Sequence, residues 1–232
     1  MQLCPVCGWE DAPGEFPYNG SNGVPISEAQ QNFILTGACE AHLKDVVRSP
    51  FPKEARSAHW LSMEDMRKAT IAFIENAFAT VRLDGGMSLA QQQIVWDWHT
   101  KEQFQAAAAH PSLRWQDIPD DVFAELPIIS LLSLDSSSVR MHLPAFMRFT
   151  LRSPIYPNVS GNLVLDHLEK GPEPKSDDLP IFHSLNEYQR QAVAAFLSFF
   201  EYYDDHQASI ASKGLRAGWD RYVPEFVRAA RL

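Results

Sequence analysis

Met63, Met66, Thr70, Phe73, Ile74, Ala77 and Val81 recur at intervals of three and four. That spacing puts them on one face of a helix and predicts helix from Ser62 to about Val81. A longer stripe follows near the end of the chain. Leu185, Tyr188, Ala192, Ala195, Phe196, Phe199 and Tyr203 keep the same period behind Ser184-Leu185-Asn186-Glu187, which reads as a capping box. Two further helices open on matching signals. Ser27-Glu28-Ala29-Gln30 caps a short one through Leu35 that stops at Gly37. Ser88-Leu89-Ala90-Gln91 caps one carrying Ile94, Val95, Trp96 and Trp98, which Thr100 restarts or bends and His110-Pro111 ends.

The remaining segments are shorter. A second N-terminal helix is expected from Glu40 to Val47, broken by Ser49-Pro50-Phe51-Pro52. Asp120 to Glu125 reads as a short helix after Trp115-Gln116-Asp117-Ile118-Pro119. Ile128 to Leu134 fits a buried strand or a helix turn equally well. Ser136 to Arg152 is helical, with Pro144 marking either a kink or a start. Leu215 to Leu232 is helical in parts, broken at Pro224. Gly14 to Pro25, with the turn dipeptides Asn19-Gly20 and Asn22-Gly23, reads as an ordered loop, and Gly171 to Asp178 as an exposed one. The fold expected is mainly α. A small cysteine-containing, zinc-knuckle-like unit at 1–57 precedes an irregular multi-helix domain at 58–232.

Composition narrows the function. With 232 residues and 45% hydrophobic content the chain can bury a sizeable core without help from metal. A net charge of −9 works against binding nucleic acid, which requires clustered Lys and Arg, and suits a neutral or basic partner. Mild acidity also aids solubility with no partner involved. No apolar run is long enough to span a bilayer, and no basic-then-apolar leader opens the sequence. A soluble cytoplasmic protein with reduced thiols is expected.

All three cysteines fall in two places, Cys4-Pro5-Val6-Cys7-Gly8 and Cys39-Glu40-Ala41-His42. Proline stiffens the first turn, and glycine lets the chain fold back so that both sulfurs face one ion. Cys39 and His42 repeat the two-residue spacing. Together Cys4, Cys7, Cys39 and His42 make a closed Cys3His set for one structural zinc ion. The alternative makes Cys39 a small core residue and leaves His42 on the surface.

Catalytic signatures are absent. There is no G-x-S-x-G elbow, P-loop, G-x-G-x-x-G or H-E-x-x-H. Asp97, His99, Glu102, Asp204 and His206 would form a carboxylate–imidazole metal site only if the fold gathers them. Asp166-His167, near a turn, and Asp205 could join such a site on the same condition; otherwise all of these are helix-end and capping groups.

The stretch Cys4 to Pro50 resembles the bacterial cysteine-rich CPCC-type domain. The residues that carry the likeness are Cys4-Pro5-Val6-Cys7-Gly8-Trp9-Glu10-Asp11, Asn22-Gly23, Ser27 to Phe33, Thr36-Gly37-Ala38-Cys39 and Val47-Arg48-Ser49-Pro50. The resemblance implies an upstream Cys-Pro-Cys-Cys segment, and this sequence is expected to begin after it, without half of the metal ligands. From about Phe78 to Trp219 the chain resembles a bacterial helical domain family of unknown function. That likeness rests on Leu89, Asp97, Trp115 to Pro119, Leu143-Pro144-Ala145-Phe146, Leu185, Gln189, Ala192-Val193 and Phe196-Leu197. It implies a mostly helical fold and transfers no activity.

The expected function is therefore a non-enzymatic protein-binding protein of the bacterial cytoplasm. More narrowly, it is an immunity protein that neutralises a cognate basic toxin by direct contact, with no nucleic-acid or membrane partner. The competing readings are a metal-dependent hydrolase built on the scattered carboxylates and histidines, and a zinc-stabilised regulatory or scaffold module.

Overall fold

A computed structural model describes residues 3–10, 22–83, 86–96, 100–107, 114–125, 135–152, 159–173, 181–203 and 205–231. Among them the fold is mainly α, and β pairing is limited to isolated bridges, Leu3 with Glu10 and Arg82 with Arg114. The helices are α1 (Ile26–Thr36), α2 (Met63–Ala77), α3 (Leu89–Trp96), α4 (Lys101–Ala106), α5 (Asp120–Glu125), α6 (Ser136–Arg152), α7 (Val159–Leu168), α8 (Glu187–Tyr203), α9 (Asp205–Gly214) and α10 (Glu225–Arg231). Two compact units result, Met1–Lys68 with Glu225–Leu232, and Ala69–Pro224. The sequence divides the chain after residue 57, whereas the contacts divide it within α2 and join α10 to the first unit.

The first unit shows why the cut lies so late. Gln30 does not form a capping box with Ser27. Helix α1 starts at Ile26 behind Pro25 with no side-chain cap. Instead the Gln30 Oε1 accepts the Met63 amide at 2.7 Å, and Gln31 Nε2 donates to Ser62 Oγ at 2.9 Å. Ser62 in turn accepts the Asp65 amide, so α2 is capped by a residue of its own and by one from α1. Helix α1 ends as expected, with Gly37 in the left-handed region and its amide on the Phe33 carbonyl. The expected helix from Glu40 to Val47 is only a 3-10 turn at Ala41–Leu43 followed by further turns.

The second unit is built around α8. From Ala192 to Phe200 every residue of this helix is buried, on all sides and not along one stripe. Fully burying an aromatic such as Phe196 contributes ~1.5–3 kcal/mol, and alanines at 192, 194 and 195 let neighbours approach closely. Helix α8 packs on α9, and α6 on α7 and on the 3-10 turn Ile181–Ser184. The cap lies two residues later than Ser184: Asn186 Oδ1 accepts the Gln189 amide at 2.9 Å, and Gln189 Oε1 accepts the Asn186 amide at 3.1 Å.

Other expected signals are in place. Ser88 and Gln91 exchange amide and side-chain bonds at 3.0 and 3.1 Å. Thr100 restarts a helix, forming a capping box with Gln103. Helix α6 continues without a break across Pro144, with Leu143 to Met147 buried. The break at Pro224 separates a 3-10 turn from α10. The ambiguous piece 128–134 lies outside the described residues.

Candidate functional site

The first thiol turn is a short hairpin. Leu3 and Glu10 pair, the Cys4 amide donates to the Trp9 carbonyl at 2.8 Å, and the Gly8 amide donates to the Cys4 carbonyl at 2.8 Å. Gly8 has φ +79°, and a Cβ there would lie 2.7 Å from Leu43 Cδ1. Only glycine fits the turn and the close approach together. The second thiol is brought alongside by the backbone, since the Cys39 amide donates to the Cys7 carbonyl at 2.7 Å. Asn32 Nδ2 donates to the Cys39 carbonyl at 2.9 Å, which ties this segment to α1.

The three sulfurs interact electrostatically. Burial pushes the Cys4 thiol up, but the amides of Cys7 and Val6 and the Cys7 thiol outweigh it and leave Cys4 below its usual value. Cys7 is pushed up to about 11, first by burial, with the nearby Cys4 and Cys39 adding to it. Burial and the Glu40 carboxylate also raise Cys39, which is 1% exposed. Amides directed at sulfur are what a thiolate–metal knuckle uses.

His42 does not join them. Its side chain is 70% exposed, with Nδ1 3.6 Å from the Glu40 carboxylate. Glu40 in turn accepts the Gly23 amide at 2.9 Å. The Cys3His set expected from spacing is therefore three neighbouring thiols and one outward imidazole. The short 3-10 turn carries His42 away from Cys39, where a regular helix was expected. As the side chains stand, no group of three or more His, Cys, Asp or Glu among the described residues is arranged to hold a metal ion.

The alternative carboxylate–imidazole set gains no support. Glu102 is exposed on α4. Asp97, His99, Asp204 and the Asp205 and His206 side chains lie outside the described residues. On α7, Asp166 is exposed and His167 is buried.

One cavity of about 570 Å³ opens in the first unit. Phe33, Ile34, Pro50 and Trp60 give it apolar walls, and Glu54, Arg56 and Asp65 are its charged lining. The Arg56 guanidinium stands 4.7 Å from the Trp60 ring centroid and 5.2 Å from that of Phe33. Sequence reading missed this arrangement, since Arg56 falls between the break at Ser49-Pro50-Phe51-Pro52 and the helix predicted from Ser62. Phe33 and Arg56 are too far apart in the chain for any local period to pair them.

No helix among the described residues is long and apolar enough to cross a membrane. The family model for the cysteine-rich CPCC domain matches residues 1–54. No curated protein and no solved structure matches the chain. A second model, described as a family of unknown function (DUF6714), matches residues 66–228, most of the helical part. The chain belongs to that family of unknown function, with a CPCC-type domain at its N-terminus.

Proposed function

We propose that this protein works by binding another protein, and more narrowly that it is a cytoplasmic immunity protein that neutralises a cognate toxin by direct contact. The observation that carries the reading is where apolar surface is left uncovered. Of the large hydrophobic side chains exposed among the described residues, Leu3, Ile26, Ile34, Leu35, Val46 and Phe51 belong to the first unit, and Tyr188 and Tyr202 to the second. Leu35 and Val46 are 78% and 71% exposed. A small unit that leaves this much apolar surface in water gains from a partner that covers it. In this reading the cysteine-containing unit supplies the contact, and the helical unit carries the large core. The net charge of −9 favours encounter with a basic partner.

The test is affinity capture from the native host with the full chain and with a Leu35→Glu/Val46→Glu variant. The expected result is a basic protein held by the wild type and lost by the variant. Expressed alone, that protein arrests growth, and co-expression of this chain relieves the arrest. Capture of nothing above background, or of a partner whose toxicity this chain leaves untouched, rejects the immunity reading.

We also propose that Cys4, Cys7 and Cys39 hold one structural zinc ion that stiffens the first unit. The backbone bond joining the two thiol turns supports this, as do the amides around the sulfurs. His42 completes the set only by leaving Glu40.

A further inference from the structure

Among the described residues, five arginines stack on aromatic rings, and they fall into two kinds. Arg48 lies 4.0 Å over Phe51, and its fork donates to both Glu54 oxygens at 2.7 and 2.8 Å. Arg148 over Trp115 donates to the Ile118 carbonyl. Arg190 and Arg221, both against Tyr222, donate to the tyrosine hydroxyl and to Glu173 respectively. Arg56 is placed against Trp60 and Phe33 in the same way, yet its N–H groups meet no acceptor among the described residues.

This unpaired fork lines the cavity in the first unit. The other charges there are already engaged. Glu54 is held by Arg48 and by the Phe51 amide, and Asp65 accepts the Ser62 hydroxyl at 2.6 Å. An incoming ligand therefore meets one planar cation with free donors, flanked by aromatic rings, beside apolar wall from Ile34 and Pro50. A guanidinium stacked on rings is pre-oriented, and its fork matches a carboxylate in a two-point contact. The Arg48–Phe51–Glu54 cluster in the same unit shows that contact completed from within the chain. A volume of about 570 Å³ is in the range of small-molecule sites.

We propose that this cavity binds a small organic monocarboxylate with an aromatic body, its carboxylate on the Arg56 fork and its ring against Trp60 and Phe33. Glu54 and Asp65 disfavour a second negative charge on the ligand. The proposal goes beyond the protein-binding reading and stands without it.

The test uses the full chain with 3-phenylpropionate as probe and 3-phenylpropionamide, its neutral isostere, as comparison, both titrated by calorimetry and by ligand-observed NMR. The acid is expected to bind saturably, with the amide about tenfold weaker. Arg56→Gln brings the acid down to the level of the amide and leaves the amide unchanged. Arg56→Lys, which keeps charge but loses the fork, falls between. The acid–amide comparison needs only the wild type and so survives any folding defect in a variant. Equal binding of acid and amide, unchanged acid binding in Arg56→Gln, or no saturable binding of the acid at about 10 mM overturns the proposal.

Discussion

The Arg148 guanidinium, 6% exposed on α6, donates to the main-chain carbonyl of Ile118 at 2.9 Å and so fixes the segment Trp115 to Pro119. The same group donates to the Gln116 carbonyl at 3.3 Å and lies 5.1 Å from the Trp115 ring centroid. Trp115 itself is fully buried, with Nε1 donating to the Phe78 carbonyl at 2.8 Å. A short polar segment is thus held onto the core by one cation and one indole. The Trp-Gln-Asp-Ile-Pro run, prominent in the sequence, is a packing clip in this fold.

Arg148→Met should therefore cost about 3 kcal/mol, because the buried Ile118 carbonyl and the half-buried Gln116 carbonyl lose their charged donor. Arg148→Lys should recover less than half of that, since a point charge cannot reach both carbonyls and stack as well. Urea denaturation followed by far-UV circular dichroism reads the difference as a shift in midpoint. A midpoint unchanged in Arg148→Met would show that the clip contributes nothing.

Stability should also depend on pH through His142. This imidazole lies inside α6, 1% exposed, with Nε2 3.1 Å from the Met87 carbonyl and Nδ1 buried without a partner among the described residues. Burial holds it neutral and lowers its pKa from 6.5 to about 4, partly offset by the Met87 bond and by Asp135. Between these two values the unfolded chain takes up a proton that the folded chain refuses. Stability therefore rises with pH across that window, is complete above it, and has lost about 3 kcal/mol at its lower end. His167, also lowered to about 4 by burial and by Lys170, acts in the same window. The urea midpoint should fall on going from pH 7.5 to about pH 4.5. His142→Gln should flatten that fall in part, and a second substitution, His167→Gln, should flatten it further. An equal fall in wild type and double variant would remove both histidines from the account.

The thiols give a third expectation. Cys7 is held as a thiol at neutral pH by its pKa of about 11, so zinc must displace a proton to bind it. Apparent affinity for zinc, read by competition with a chromophoric chelator on reduced protein, should tighten by at least about tenfold per pH unit near neutrality. Cys39→Ser should abolish stoichiometric uptake. His42→Ala should change affinity little if the imidazole stays beside Glu40. A loss as large as that of Cys39→Ser would show that His42 swings in to ligate. Wild-type protein that takes up no zinc under reducing conditions would leave Cys39 a core residue and nothing more.

The helical periods at Met63 to Ala77 and at Leu185 to Phe199, the Ser88–Gln91 cap and the Gly37 stop were all readable in the chain, because each depends on neighbours within one or two turns. Tertiary structure decided which distant group satisfies which. Gln30 caps α2 and not its own helix, Asn186 displaces Ser184 as the cap of α8, and α8 is buried all round. His42 faces Glu40 and water, and Arg56 stands between two rings without a counter-ion among the described residues. The physical reason is the same throughout. A polar group bonds to whatever the folded chain brings within about 3 Å, and a local sequence pattern holds no record of that distance.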